Sequence, residues 1–364
     1  MISPRFLGPV ACVMLILVKA GVIGSRGAGK STVFHALTGL APLESQQTKN
    51  RARPGQIRVP DARLDFLERA CESKKKIPVE LTVLDFAPGQ KEAKPGAVLD
   101  ATLIPMMREL DAILIVVASP AVGGMDLVPT LKGIEEELVF ADFEQAERRL
   151  ERIKKDRAPD EVERGSLQRA LAHLELGSPL RTLDLSAQEV KVLSHFCFLS
   201  QKPALVIINC APEEAVYEVG GGQTEAIHAR GLEIFRMAAA FEAELWELDE
   251  AARRDLLREA GLTASAGDRL TAALFRRLGL MTFYTAGEPE AHAWALPMGS
   301  TALEAAAKIH SDIARGFIRA EVISYADFER FGSEAKVKAA GRLRLEGKEY
   351  PMQDGDVIHI RFKV

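Results

Sequence analysis

A glycine-rich stretch near the start of the chain has the residue types and spacing of a phosphate-binding loop. Residues 24–31 read Gly-Ser-Arg-Gly-Ala-Gly-Lys-Ser, which fits the pattern G-x-x-x-x-G-K-[ST]. In this pattern backbone N–H groups turn inward around phosphate oxygens, the lysine (Lys30) places its charge on the β and γ phosphates, and the hydroxyl (Ser31) is offered to Mg²⁺. The residues predicted to hold a nucleotide here are Gly24, Gly27, Ala28, Gly29, Lys30, Ser31 and Thr32.

Hydrolysis of a nucleotide needs groups beyond this loop. An acidic residue at the end of a strand would hold the magnesium ion and its water, and Asp85 in VLDFAPG fits that role. Gln90 follows Gly89, as a glutamine that orients the attacking water follows the switch glycine of Ras-like GTPases. The alternative interpretation of Gln90 is a solvated loop residue, and no other catalytic candidate is identified.

The elements that must position the loop alternate between strand-like and helix-like patterns. The segment LILVKAGVIG reads as a buried strand, with Met14–Val18 and Val22–Ile23 as its apolar parts, and GKSTVFHALTGL as a helix that ends near Gly39. Continuous apolar runs are typical of strands covered on both faces. Further strands are predicted at Val79–Ala87, Asp111–Ser119 and Pro203–Cys210. The alternation predicts an α/β fold with a doubly wound, mostly parallel sheet.

A region rich in Glu, Arg and Leu, Leu131–Leu199, interrupts this alternation. Its first part has apolar residues at helical spacing, namely Ile134, Leu138, Phe143 or Ala146, Leu150 and Ile153. A polar stretch with Pro159 suits a turn, and GSLQRALAHLEL resumes the helical pattern. The pattern predicts an inserted helical hairpin. This hairpin is either a solvated arm or a surface for a large partner.

The pattern of predicted elements changes again near Met281, where short strands, turns and one helix follow. That helix begins at Ser300 or Thr301, with Glu304 completing a capping box. These features suit a small β-grasp-like module. The predicted organisation is an N-terminal extension at 1–13, a nucleotide-binding domain at 14–130 and 200–278, a helical insertion at 131–199 and the C-terminal module at 281–364.

Composition restricts the function classes. The formal net charge is −4, so any contact with nucleic acid must come from a local basic patch. The apolar run near the N-terminus breaks at Lys19 and is too short to span a membrane, and Met14 is an alternative start. The cysteines form no C-x-x-C pair, which favours neither a zinc site nor a disulfide framework; they are Cys12, Cys71, Cys197 and Cys210.

Several longer stretches resemble the YchF family, also called the Obg-like ATPases, of the translation-factor class of P-loop GTPases. TFYTAGEPEAHAW, AAAKIHSDIARGFIRAEVISY and GRLRLEGKEYPMQDGDVIHIRF are similar to the TGS domain of that family, and VPDARLD, ADFEQAERRL and FLSQKP also match. The resemblance extends from about residue 14 to 364. It implies an α/β nucleotide domain, a coiled-coil arm and a TGS domain, in a cytosolic protein that prefers ATP to GTP and associates with ribosomes.

The base-reading motif departs from the family pattern. GTPases read guanine with N-K-x-D, and YchF-like proteins have N-x-x-E there. This chain has Asn209, but Pro212 stands at the fourth position and Glu213 one residue later. The resemblance implies that Asn209 and backbone groups read adenine. It also places MAAA, which begins at Met237, at the second base-contacting loop.

The segments that would sense the γ phosphate depart as well. Pro88 stands where the family has a glycine whose N–H contacts that phosphate, and proline has no N–H to give. Lys49 falls on the position of the first-switch threonine, with Thr48 beside it as a further magnesium ligand if the loop shifts by one residue. The metal ligands predicted are therefore Ser31, Asp85 and Thr48.

These observations lead to one favoured function and two alternatives. The favoured function is an ATP-binding, slowly hydrolysing switch protein of the cytoplasm that uses ATP, rather than GTP, with Mg²⁺. It acts as a monomer on the ribosome, through ribosomal RNA or protein, and not at a membrane. The alternatives are a GTPase regulator and a degenerate scaffold that binds RNA or protein without hydrolysis.

Overall fold

The computed structural model describes residues 18–41, 52–86, 101–124, 126–156, 160–215, 221–259 and 264–363. Its strands are β1 Lys19–Gly24, β2 Ala52–Arg58, β3 Lys76–Ile77, β4 Glu80–Phe86, β5 Ala112–Ala118, β6 Ala204–Asn209, β7 Glu233–Met237, β8 Leu280–Ala286, β9 Ala291–Pro297, β10 Phe317–Ser324, β11 Arg344–Glu346 and β12 Asp356–Phe362. Its helices are α1 Lys30–Thr38, α2 Ala62–Ala70, α3 Ile104–Arg108, α4 Leu127–Ile153, α5 Glu161–Glu175, α6 Ala187–Ser194, α7 Gly221–Ala229, α8 Ala239–Glu244, α9 Glu250–Glu259, α10 Ala266–Arg277, α11 Ala302–Ile309, α12 Ser311–Arg315, α13 Tyr325–Phe331 and α14 Glu334–Ala339.

The chain forms two compact units. The parallel-sheet unit consists of the described residues of Val18–Ile57 and Thr82–Leu270, and the mixed-sheet unit of those of Arg58–Leu81 and Thr271–Val364. The assignment of 58–81 differs from the sequence boundaries, which placed this segment in the nucleotide domain. Long-range contacts decide it, and they leave no periodic signal in the sequence.

The parallel-sheet unit contains a six-stranded sheet in the order β2-β4-β1-β5-β6-β7. β1 runs parallel to β4 and β5, and β6 runs parallel to β5 and β7. β5 (AILIVVA) is buried at all of its positions, as expected for a strand with helices over both faces of the sheet. The α/β prediction with a mostly parallel sheet is confirmed.

The first predicted strand corresponds to β1, Lys19–Gly24, in the described residues. Within the described residues it starts at Lys19, while Met14 and the three residues after it lie outside them, as does the proposed extension 1–13. Lys19 belongs to the strand, and its backbone N–H donates to the Asp111 carboxylate at 2.8 Å. Lys19 interrupts the apolar run of the sequence, but it is the first residue of β1 and its charge does not exclude it from the strand.

The helical region of this unit contains α4 and α5, which share a hydrophobic cluster. The predicted apolar positions of α4 are buried, and at the open position Ala146 is the fully buried residue. α5 begins after Asp160, whose carboxylate accepts from the N–H groups of Val162 and Glu163. Arg149 of α4 binds both carboxylate oxygens of Glu163, at 2.7 and 2.9 Å. The predicted pair of helices is present, and its domain boundaries at 131 and 199 stay a prediction.

The mixed-sheet unit contains a sheet in the order β11-β10-β12-β8-β9-β3. Helix α11 packs on it and begins at Thr301, where Thr301 and Glu304 form the predicted capping box. The segment 58–81 joins this unit through β3, which pairs with β9, and through Asp61, which accepts from the Tyr284 hydroxyl. Among the helices of the described residues, none is long and apolar enough to cross a bilayer.

Candidate functional site

Four predicted site residues meet at one edge of the parallel sheet. Gly24 is the last residue of β1, Asp85 lies next to the end of β4, and Asn209 and Met237 end β6 and β7. Asn209 is paired with Met237 in the sheet register. Carboxyl ends of parallel strands form the usual crevice for ligands in α/β sheets. The parallel-sheet unit therefore collects residues from distant parts of the sequence at one place.

The phosphate loop needs glycine at two positions for close backbone approach. A Cβ on Gly24 would lie 2.2 Å from the Val116 carbonyl oxygen, and a Cβ on Gly29 would lie 2.2 Å from the Asn209 side-chain nitrogen. Gly29 is also the N-cap of α1, with a left-handed φ of 88° and no side-chain cap. The first N–H groups of α1 are thus left for an anion, and the helix dipole favours one there.

Alanine substitutions of Gly29 and Gly27 together separate the effect of the close contact with Asn209 from the strain of a left-handed backbone. We expect Gly29→Ala to lower nucleotide affinity at least about tenfold, because an alanine must push Asn209 away and its left-handed backbone costs about 1 kcal/mol more. Gly27→Ala is the matched control, since Gly27 has a φ of 81° but open space around its Cβ position. Titration calorimetry with an ATP analogue measures both, and equal losses would contradict the role of Asn209.

Lys30 is held inside the loop by backbone carbonyls. Its ammonium donates to the carbonyl oxygens of Gly24 at 3.0 Å and Ser25 at 2.8 Å. Burial lowers the pKa of Lys30, and the negative charge of Asp85 opposes this effect. A partly buried ammonium whose hydrogen-bond partners are neutral gains from a nearby anion. The arrangement suits phosphate oxygens.

Asp85 has the features of a ligand for a divalent cation. Its Oδ1 atom is buried and has no hydrogen-bond partner among the described residues, and its carboxylate is hydrogen-bonded to Ser31. Burial raises the pKa of Asp85, and Ser31, Lys30 and Arg53 oppose the shift. A buried carboxylate oxygen without a partner is costly unless a ligand satisfies it. Ser31 and Asp85 together therefore fit Mg²⁺.

Asp85→Asn should have opposite effects on stability and on ligand binding. Folding raises the pKa of Asp85, so the folded state keeps this proton to higher pH than the unfolded state, and stability is lost as pH rises between the two pKa values. The neutral variant escapes this loss, and its Tm without Mg²⁺ should exceed that of the wild type at neutral pH. Its Mg²⁺-dependent gain in nucleotide affinity should fall about tenfold. Thermal unfolding against pH and calorimetry with and without Mg²⁺ test both; a lower Tm at neutral pH would contradict the assignment.

Asn209 braces the phosphate loop from β6. Its side-chain N–H₂ group donates to the Ala28 carbonyl oxygen at 3.2 Å. The following residues form a short 3₁₀ turn, Pro212–Glu214, in which Glu213 is exposed. The Glu214 carboxylate accepts from the Ser119 hydroxyl at 2.6 Å and from the Ala211 N–H at 3.2 Å. The structure thus places Glu214, a residue the sequence analysis did not consider, in a defined contact.

A cavity of about 320 Å³ lies beside this turn. It is lined by Pro212, Glu213, Ala215, Ala238, Phe241, Glu242, Leu256, Glu259, Ala266 and Arg269. Met237 does not line it: its side chain is buried, and its carbonyl accepts from the Cys210 N–H at 3.0 Å. The next residue of MAAA, Ala238, lines the cavity instead, together with Phe241, which the sequence analysis missed. Its only signal was its place directly after the alanines.

The remaining predicted residues cannot be placed. Thr48, Lys49, Pro88 and Gln90 lie outside the described residues, so Thr48 as the third magnesium ligand and Gln90 as the catalytic candidate stay predictions. No group of three or more His, Cys, Asp or Glu side chains in the described ranges could hold a metal ion. A metal at this edge would therefore depend on Ser31, Asp85 and oxygens of the ligand.

Comparisons with known proteins agree with this arrangement. The family model YchF-GTPase_C, described as a protein of unknown function (DUF933), matches residues 280–363. A protein of Escherichia coli O157:H7, "Ribosome-binding ATPase YchF", is 34% identical over 360 residues, which cover 95% of this chain and 99% of that protein. The protein of the same name from Bacillus subtilis is 35% identical over 364 residues, covering 95% of this chain and 100% of that protein.

The chain belongs to the YchF family. A solved structure, "Structure of the Schizosaccharomyces pombe YchF GTPase", has a TM-score of 0.81 and 26% identity, and the match covers 95% of this chain and 98% of that one. Both units of the chain are therefore parts of one YchF-type fold. The phosphate loop, the Asn209 brace and the cavity lie in the parallel-sheet unit of this YchF-family protein.

Proposed function

We propose that this YchF-family chain is an ATP-binding switch protein that hydrolyses ATP slowly and associates with ribosomes. The observation that carries the proposal is the loop of residues 24–31 with Lys30 and Asp85 directed to one place and Asn209 braced against it. Lys30 would exchange its carbonyl partners for the β and γ phosphate oxygens, and the N–H groups of α1 would hold the same anion.

Ser31 and Asp85 would hold the magnesium ion. Bound there, Mg²⁺ would neutralise charge on the phosphates and help to orient them. The chain's own contribution is positional: Asp85 keeps its carboxylate buried next to Ser31 until a cation satisfies it. Slow hydrolysis is proposed from the sequence, because Pro88 has no N–H for the γ phosphate and Gln90 is a weak candidate for orienting water.

Selection of ATP over GTP rests on the base cavity. Guanine offers N–H donors at N1 and N2, which a carboxylate at position 212 would accept, and this chain has proline there. The aromatic ring of Phe241 and the surface of Pro212 and Ala238 give the cavity apolar walls for a purine. Base stacking on an aromatic ring is worth about 1–3 kcal/mol. The competing function is a GTPase, since the S. pombe relative of known structure is described as a YchF GTPase.

Association with the ribosome and a cytoplasmic location are proposed from the relatives. The E. coli and B. subtilis proteins are named ribosome-binding ATPases, and each matches this chain over nearly its whole length. Contact with ribosomal RNA or protein would then involve the helical pair α4–α5 or the mixed-sheet unit. We propose a monomer.

Titration calorimetry with non-hydrolysable ATP and GTP analogues, with and without Mg²⁺, tests the nucleotide. We expect Mg²⁺-dependent binding of the ATP analogue and binding of the GTP analogue at least about tenfold weaker. Co-sedimentation with ribosomes, with and without the ATP analogue, tests the switch. Ribosome binding that does not respond to the nucleotide or to Lys30→Ala would favour the scaffold alternative, and equal binding of both analogues would favour the GTPase.

A further inference from the structure

A hydrogen-bonded pair connects the ends of β5 and β6 at the edge of the base cavity. The Ser119 hydroxyl donates to Glu214 Oε2 at 2.6 Å, and the Ala211 N–H donates to the same oxygen at 3.2 Å. Ser119 is 5% exposed, and its N–H donates to the Asn209 carbonyl oxygen at 2.8 Å. The serine is therefore fixed to the strand end that carries the base-reading asparagine. We call the Ser119–Glu214 contact the carboxylate latch.

The latch turns one carboxylate away from the cavity. Pro212, Glu213 and Ala215 of this turn line the cavity, but Glu214, between them in sequence, does not. The hydrogen bond from the Ser119 hydroxyl stabilises the charged form of the Glu214 carboxylate and thereby lowers the pKa of Glu214. A charge-assisted hydrogen bond of this kind is among the stronger ones in proteins. The turn thus presents the proline surface to the cavity and keeps Glu214 beside β5.

The three carboxylates that do line the cavity are either hydrogen-bonded to the backbone or exposed to solvent. Glu242 is 4% exposed and accepts from the Ala266 N–H at 2.7 Å, so it caps α10. Glu213 and Glu259 are exposed to solvent. A hydrated rim carboxylate gains little from a base, because it exchanges one set of hydrogen bonds for another. Release of Glu214 would instead supply a carboxylate fixed on a short turn.

We propose that the carboxylate latch is a positioning device for base selection: Ser119 keeps Glu214 away from the base and thereby disfavours guanine relative to adenine. The inference rests on the proposed nucleotide function. Guanine buries two N–H donors at its Watson–Crick edge and loses their bonds to water if no acceptor meets them. Adenine has a ring-nitrogen acceptor at that edge, which an approaching carboxylate would repel. Keeping Glu214 away from the base therefore weakens the binding of guanine and favours the binding of adenine.

The test measures the dissociation constants of Mg²⁺ complexes of ATP and GTP analogues for the full chain. Ser119→Ala removes the shorter of the two hydrogen bonds to Glu214 Oε2 and leaves the longer one from the Ala211 N–H. We expect the ratio of the GTP constant to the ATP constant to fall about tenfold. Glu214→Gln, alone or combined with Ser119→Ala, carries no free carboxylate and should show no such fall. Glu244→Gln is the control, because Glu244 is an exposed carboxylate of the same unit that does not line the cavity, and it should leave the ratio unchanged. An unchanged ratio in Ser119→Ala, or the same fall in the double variant, overturns the proposal.

A second variant keeps the result interpretable. Pro212→Asp places a carboxylate on the cavity wall without using the latch, and aspartate is tolerated at the start of a helical turn. It should lower the ratio at least as much as Ser119→Ala. A fall in Pro212→Asp alone means that the cavity reads the base but Ser119 does not control it, which rejects the latch. Failure of the proposed function looks different, because the wild-type chain would then bind neither analogue.

Discussion

Lys30→Ala is expected to weaken binding of an ATP analogue by about a hundredfold or more, while the protein stays folded. Among the described residues of the loop and α1, Lys30 supplies the cation that the structure places between the loop carbonyls and Asp85. Hydrogen bonds to charged groups contribute about 1.5–3 kcal/mol each, and the ammonium would donate to two phosphates. Titration calorimetry at constant Mg²⁺ measures the loss.

The stability of the Lys30→Ala variant should change little. Burial of the ammonium against neutral carbonyls lowers its pKa, which means that the charged group is costly to bury in the folded state, so its removal offsets the loss of its hydrogen bonds. Lys132→Ala is the matched control, since Lys132 lies in the same unit with its side chain 66% exposed. It should bind the analogue as the wild type does. Retention of binding in Lys30→Ala, with an unchanged Tm, would mean that the loop does not hold phosphate.

Glu135→Ala is expected to destabilise the parallel-sheet unit by about 3–5 kcal/mol. The carboxylate of Glu135 is fully buried in α4, where Oε1 lies 2.6 Å from Arg181 Nη1 and Oε2 lies 2.8 Å from Arg230 Nε. Arg181 is itself 3% exposed, so removal of the carboxylate takes an ion-pair partner from a buried guanidinium. Breaking one side of a buried ion pair costs more than the pair contributes, because desolvation of the remaining charge is no longer offset.

Urea unfolding followed by tryptophan fluorescence measures this change. The chain has two tryptophans, and Trp294→Phe leaves Trp246, whose indole N–H donates to the Ala36 carbonyl oxygen at 2.8 Å within the parallel-sheet unit. Glu136→Ala in the same background is the control, since its side chain is 57% exposed and faces Lys132. A midpoint for Glu135→Ala equal to that of Glu136→Ala would show that the buried carboxylate contributes nothing.

Much of the fold followed from local patterns. The strands at 80–86, 112–118 and 204–209 and the helix that ends before Gly39 lie close to their predicted bounds, because buried strands and helix ends carry short-range signals. The capping box at Thr301 was read correctly for the same reason. The contacts of 58–81 have no such short-range signal, since Asp61 and Tyr284 are 223 residues apart. Contacts of that separation have no local pattern.

The sequence alone determined the phosphate loop, since its glycines and lysine act through backbone geometry that a short run of consecutive residues specifies. It also identified Asp85 and Asn209, because strand ends in a parallel sheet converge at one edge. Only the tertiary structure decided what lines the cavity beside the turn Pro212–Glu214. Phe241 lines the cavity, Met237 is buried, and Glu214 is bound to Ser119. These outcomes depend on how separate strands and turns pack, which the order of residues does not display.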